Sequence, residues 1–137
     1  MLLSTSVNWL AIVVAVVASM ALGFAWYMAL AKPWMAALNK TRDQIMSSAN
    51  PAAPFIIAAA MQLVMAYFLA LLTPRVFGSL GLVNGLMMGF WLWLGFIVTS
   101  MVINHRYQGA KWSLTLIDGG YLLGVVLVQG TVIGLFG

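Results

Sequence analysis

The chain has 137 residues, of which 64% are hydrophobic and 6% charged, with a net charge of +4. Soluble domains carry about 25% charged residues, so six basic and two acidic side chains cannot clothe a water-facing surface of this size. Mean hydropathy is +1.06, and the lack of cysteine excludes disulfides and thiolate metal sites.

Four apolar blocks lie along the chain, at roughly 7–31, 54–72, 80–103 and 112–136. Each is near the ~20 residues that a helix needs to span hydrocarbon. They predict an all-α fold: one transmembrane domain over 1–137, an integral membrane bundle of four helices. A β-barrel would alternate apolar and polar residues. Stretches 10–17 and 124–128 are apolar on every side, which favours helices.

The N-terminus begins Met1-Leu2-Leu3-Ser4, without Lys or Arg, and the apolar run outlasts the apolar core of a signal peptide. It is expected to be a retained span. The connection 32–53 carries Lys40, Arg42 and Asp43. Its segment 34–48 is expected as a short interfacial helix with Trp34, Leu38 and Ile45 toward lipid, separated by Pro51 from the second span. That span begins at Pro54, a residue suited to a first helical turn. Connection 73–79, with Pro74 and Arg75, reads as a tight turn. The third span holds Gly81, Gly85 and Gly89 at four-residue spacing, which lets helix backbones approach closely. Ordinary packing within the chain is the first reading of that stripe, and a homo-oligomer contact the second. Trp91 and Trp93 fall in mid-span, as packing residues at a helix or subunit contact. Connection 105–111 carries Arg106 and Lys111. The fourth span repeats the small-residue spacing at Gly120 with Gly124 and at Gly130 with Gly134.

Lys32, Lys40, Arg42, Arg106 and Lys111 fall on one side of the bilayer, and Arg75 on the other. The excess of basic residues puts the first and third connections in the cytoplasm. The protein is thus expected in the cell membrane with both termini outside. The basic residues form no patch with interleaved polar groups, so nucleic acid is not an expected partner. Membrane lipid is one, and a second copy of the chain is another.

Polar groups at membrane depth are the first place to look for function. Counted at ~1.5 Å per residue, Asp118, Gln62, Asn104 and Tyr121 share the inner half of the bundle. Tyr121 follows Asp118 by three residues, on the same helical face. Asp118 is the only carboxylate inside a span. It reads as a proton or cation site, or as half of a structural ion pair with Lys111, Arg106 or Lys32. The ion pair is the plainer reading. Asn84 and Gln129 form a second depth-matched pair nearer the outer edge, read as an interhelical hydrogen bond. His105 would need Asp43 and Asp118 to hold a metal, so no metal or cofactor is expected, and His105 is placed at the interface beside Arg106. Catalytic signatures are missing, which leans against an enzyme.

Asn8-Trp9-Leu10-Ala11 and Leu22-Gly23-Phe24-Ala25-Trp26-Tyr27 resemble the start of a small bacterial membrane family, domain of unknown function 1761. Met65-Ala66-Tyr67-Phe68-Leu69-Ala70 is similar to its second span. Asn104 before a basic turn, then Leu116-Ile117-Asp118-Gly119-Gly120-Tyr121-Leu122, resembles the join of its third and fourth spans, and Gly130-Thr131-Val132-Ile133-Gly134-Leu135 its C-terminal end. The resemblance implies four spans and no assigned activity. Three functions stay open: a small homo-oligomeric transport or channel protein, a structural or accessory protein binding lipid or a partner membrane protein, and a lipid-directed enzyme using His105, Arg106 and Asp118.

Overall fold

The computed structural model describes residues 7–46 and 50–137, and its regular elements are all helices. Four helical stretches are long and apolar enough to cross a membrane: Trp9–Ala29, Ala53–Phe77, Leu82–Tyr107 and Trp112–Phe136.

Helix α1 (Trp9–Ala29) starts where Asn8 Oδ1 accepts the N–H groups of Leu10 and Ala11, at 3.1 and 3.2 Å. The Asn8 amide nitrogen donates to the carbonyl of Phe136 at 3.0 Å. One side chain therefore caps the first span and ties it to the end of the last.

The expected interfacial helix over 34–48 is instead two short helices, α2 (Ala31–Leu38) and α3 (Arg42–Met46). Asn39 breaks them by taking a left-handed conformation, φ 56°, which Asn tolerates better than most residues. Thr41 and Gln44 then cap α3 reciprocally, at 2.8 and 3.2 Å. Residues 47 and 48 of the expected helix lie outside the described residues.

Helix α4 (Ala53–Phe77) runs past 72 and through Pro74, so the tight turn expected at 73–79 begins only at Gly78. Proline removes a backbone donor and usually disrupts a helix. Here neighbouring side chains bond carbonyls of the preceding turn. Thr73 Oγ1 donates to Leu69 O at 2.5 Å, and Arg75 Nη1 to Leu71 O at 2.9 Å. Gly78, at φ 83°, closes the helix with its N–H on Pro74 O.

The third span is composite: α5 (Leu82–Leu92), a π-helical turn (Trp93–Ile97) and α6 (Val98–Tyr107). Thr99 and Ser100 donate their hydroxyls to the carbonyls of Gly95 and Phe96 in the turn. The last span is α7 (Trp112–Phe136).

Helix α7 is the most buried span and touches α1, α4 and α5. Its glycines explain how. A Cβ on Gly85 would stand 2.0 Å from the carbonyl oxygen of Gly130, and one on Gly130 would stand 2.3 Å from that of Gly85. Gly81 meets Gly134, and Gly89 meets the backbone of Val126, in the same seam. Gly120 and Gly124 receive Trp26 and Leu22 of α1. Both glycine sets thus bring helices of this one chain together.

Ile12, Ala15, Ala66, Leu69, Met88, Val126 and Ile133 fill the centre between these contacts. Large apolar side chains cover the outside, among them Leu10, Phe96 and Leu116, each at least 71% exposed. Water would not tolerate that surface, and lipid would.

Candidate functional site

Three polar residues of α7, Asp118, Tyr121 and Gln129, form one stripe. Asp118 and Gln129 are eleven residues apart, about three turns, so they share a face and lie about 16 Å apart along the axis. Tyr121 stands beside that line. Side chains from α1 and α4 meet the stripe at three levels.

At the α6–α7 end, Tyr27 of α1 donates its hydroxyl to Asp118 Oδ1 at 2.6 Å. The carboxylate is thus held by a tyrosine, not by the lysine or arginine of the ion-pair reading. Lys111 is drawn elsewhere: its ammonium donates to Ala36 O and Asn39 Oδ1, at 3.2 and 3.0 Å. The C-terminal end of α2 thus captures one of the cations that depth alone offers to Asp118.

In the middle level, the rings of Tyr27 and Tyr121 meet edge to face with centroids 5.1 Å apart. Gly23 leaves the room on α1, since a Cβ there would stand 3.0 Å from the Tyr121 oxygen. Gln62 of α4 donates its amide to that oxygen at 2.6 Å.

At the level farthest from the α6–α7 end, Ser19 of α1 donates to Gln62 Oε1 at 2.6 Å. Gln129 Nε2 donates to Ser19 Oγ at 3.2 Å and to the Gln62 carbonyl at 3.0 Å. A carbonyl can only accept, so this contact fixes which end of the Gln129 amide is nitrogen. Gln129 is fully buried, and its Oε1 has no hydrogen-bond partner among the described residues. Buried acceptors are normally satisfied, which sets this one apart.

The stripe brings together Asp118, Tyr121 and Gln62, as their matched depth in the sequence suggests. Asn104 does not join them: it lies exposed near the end of α6. Depth does not fix the direction a side chain faces, and the π-helical turn rotates everything after it. The Asn84–Gln129 pair fails for the same reason. Asn84 donates to Ser79, and Gln129 turns into the core. Ser19 and Tyr27 are site residues that depth counting does not single out. Trp26 and Trp93 brace the site by donating to Ile117 O and Gly119 O, at 3.0 and 2.8 Å. Trp93 is therefore a contact within the chain, while Trp91 is 54% exposed on the outer surface.

A further layer caps the stripe at the α6–α7 end. Thr115 accepts from Arg106 Nη2 at 2.8 Å and pairs with His105 Nδ1 at 2.7 Å.

A family model described as protein of unknown function (DUF1761) matches residues 10–134. The chain belongs to this family. Every member of the stripe falls inside the match, as do the glycine seams up to Gly134. No curated protein and no solved structure matches this DUF1761 chain, so its site is read from its own geometry.

Proposed function

We propose that this DUF1761 protein is a small membrane transport protein that passes a proton or a small cation along the polar stripe of α7. One observation carries the reading. Six polar side chains (Asp118, Tyr27, Tyr121, Gln62, Ser19 and Gln129) follow one another for about 16 Å through otherwise apolar helices. That is about half of the ~30 Å hydrocarbon thickness. Polar groups at such depth are costly and mark pathways in membrane proteins. The hydrogen-bonded line has one gap, at the Tyr27–Tyr121 ring contact, which a moving proton or cation would have to cross.

The basic connections support an orientation with His105, Arg106 and Asp118 toward the cytoplasm of a cell membrane and both termini outside. Four helices enclose little volume, which favours a homo-oligomer. The Gly81, Gly85 and Gly89 seam is occupied by α7, so an oligomer would use the exposed face of the third span at Phe90, Trp91 and Leu94.

A second reading has its own support. The same bonds cross-link α1, α4 and α7, as they would in an accessory protein whose work lies at its lipid-facing surface. Flux separates the two. Purified protein in liposomes, with a pH- or cation-sensitive dye inside, is expected to exceed empty liposomes, and Asp118→Asn and Gln62→Leu to lower the rate. Wild-type flux equal to that of empty liposomes would end the transport reading.

A further inference from the structure

We propose that Arg106 binds the phosphate-bearing headgroup of an anionic phospholipid at the α6–α7 end of the bundle. The site is independent of the stripe and does not require transport.

Its position is the first argument. Tyr107 and Trp112 flank the turn and are 89% and 58% exposed, as aromatic residues at a headgroup boundary are. The second is how firmly the guanidinium is held. Its carbon lies 3.7 Å from the Trp112 ring centroid, Nη2 is anchored on Thr115, and Nε is buried. The planar fork is thus pre-positioned, so an incoming phosphate does not have to order it.

The third argument is charge. The partners of Arg106 are a hydroxyl and a ring, and those of Lys111 are a carbonyl and an amide oxygen. All are neutral. The sequence has two acidic residues, and neither bonds these cations: Asp118 takes Tyr27, and Asp43 lies exposed on α3. A fixed guanidinium without a counter-ion at headgroup depth calls for an anion. Phosphate suits it, because Arg matches phosphate oxygens bidentately.

Lipid is favoured over free phosphate by what lies one turn deeper. Ile103 on α6 and Leu116 on α7 are 56% and 74% exposed and apolar, where acyl chains would continue from the headgroup. Phosphatidylglycerol and phosphatidylcholine share a phosphate and differ in net charge, which makes them the probes.

The full chain in neutral detergent is titrated with phosphatidylglycerol, phosphatidylcholine or inorganic phosphate, and the unfolding temperature is followed. Phosphatidylglycerol is expected to raise it and phosphatidylcholine not to. Arg106→Gln should raise the phosphatidylglycerol concentration that gives half of the shift roughly fivefold, the usual weight of one basic residue at an anionic surface. Should Arg106→Gln not fold, native mass spectrometry of wild-type protein released from mixed nanodiscs replaces it, with phosphatidylglycerol expected to be enriched among retained lipids. An equal response to both lipids, an unchanged response in Arg106→Gln, or no enrichment would overturn the proposal. Inorganic phosphate reproducing the full shift would overturn the lipid as occupant.

Discussion

Gly85→Ala tests whether the α5–α7 seam sets the geometry of the bundle. The added Cβ would stand 2.0 Å from Gly130 O, whereas carbon and carbonyl oxygen in close helix contact sit about 3.3–3.6 Å apart. The helices must part by at least about 1.3 Å, the difference of those two separations. Both partners are backbone, so no side chain can swing away. Opening there also loosens Gly81 against Gly134 and Gly89 against Val126. Overpacking of this kind costs about 1–3 kcal/mol, and the rigid backbone favours the upper end. Replacing a helical glycine by alanine returns about 1 kcal/mol. A net loss of about 2 kcal/mol is expected on these two terms. Gly95→Ala is the control: its Cβ meets nothing within 4 Å among the described residues, so it should be neutral or slightly stabilising. Denaturant unfolding in mixed micelles reads both. If Gly85→Ala proves as stable as Gly95→Ala, the seam does not hold the helices at this distance. The double substitution Gly85→Ala with Gly130→Ala should cost less than the sum, because the first opens the space for the second.

The stripe makes two further predictions. Tyr27→Phe strands Asp118 without its 2.6 Å donor and should destabilise by about 0.6–2 kcal/mol, the range of interhelical hydrogen bonds in bilayers. Asp118→Asn keeps an acceptor oxygen there and should cost less; the reverse order in an unfolding titration would contradict the Tyr27 donor assignment. Gln129→Glu should be more harmful than Gln129→Leu, because it sets an oxygen against the Gln62 carbonyl, which now receives an N–H at 3.0 Å. Equal stability of the two variants would mean that the Gln129 amide is oriented the other way.

Parts of the site are legible in the sequence. Counting residues places Asp118, Tyr121 and Gln62 at similar depth, and the four-residue glycine spacing marks the close backbone contacts. Their partners are not legible there. Tyr27 and Ser19 sit eight residues apart on α1, and nothing local says that one reaches Asp118 and the other Gln62. Asn104 passes the same depth test as Gln62 and ends on the outer surface. Pro74 carries the signal of a turn, yet α4 continues through it to Phe77, with the Thr73 and Arg75 side chains on carbonyls of the preceding turn. Asn39 shows the opposite case, a helix break hidden inside a helix-like segment.

The four crossings are a property of local sequence. About 20 apolar residues must take a helix in hydrocarbon, because each backbone donor needs an acceptor in its own segment. Rise per residue then gives every side chain its depth. The tertiary structure decides the rotation of each helix about its axis, and so which groups of equal depth meet. That rotation is set where backbone touches backbone, at Gly85 on Gly130, and where a ring fills the space that a glycine leaves, at Gly23 beside Tyr121. The choice of Tyr27 for Asp118, and of Thr115 for Arg106, follows from that packing and not from the spacing along the chain.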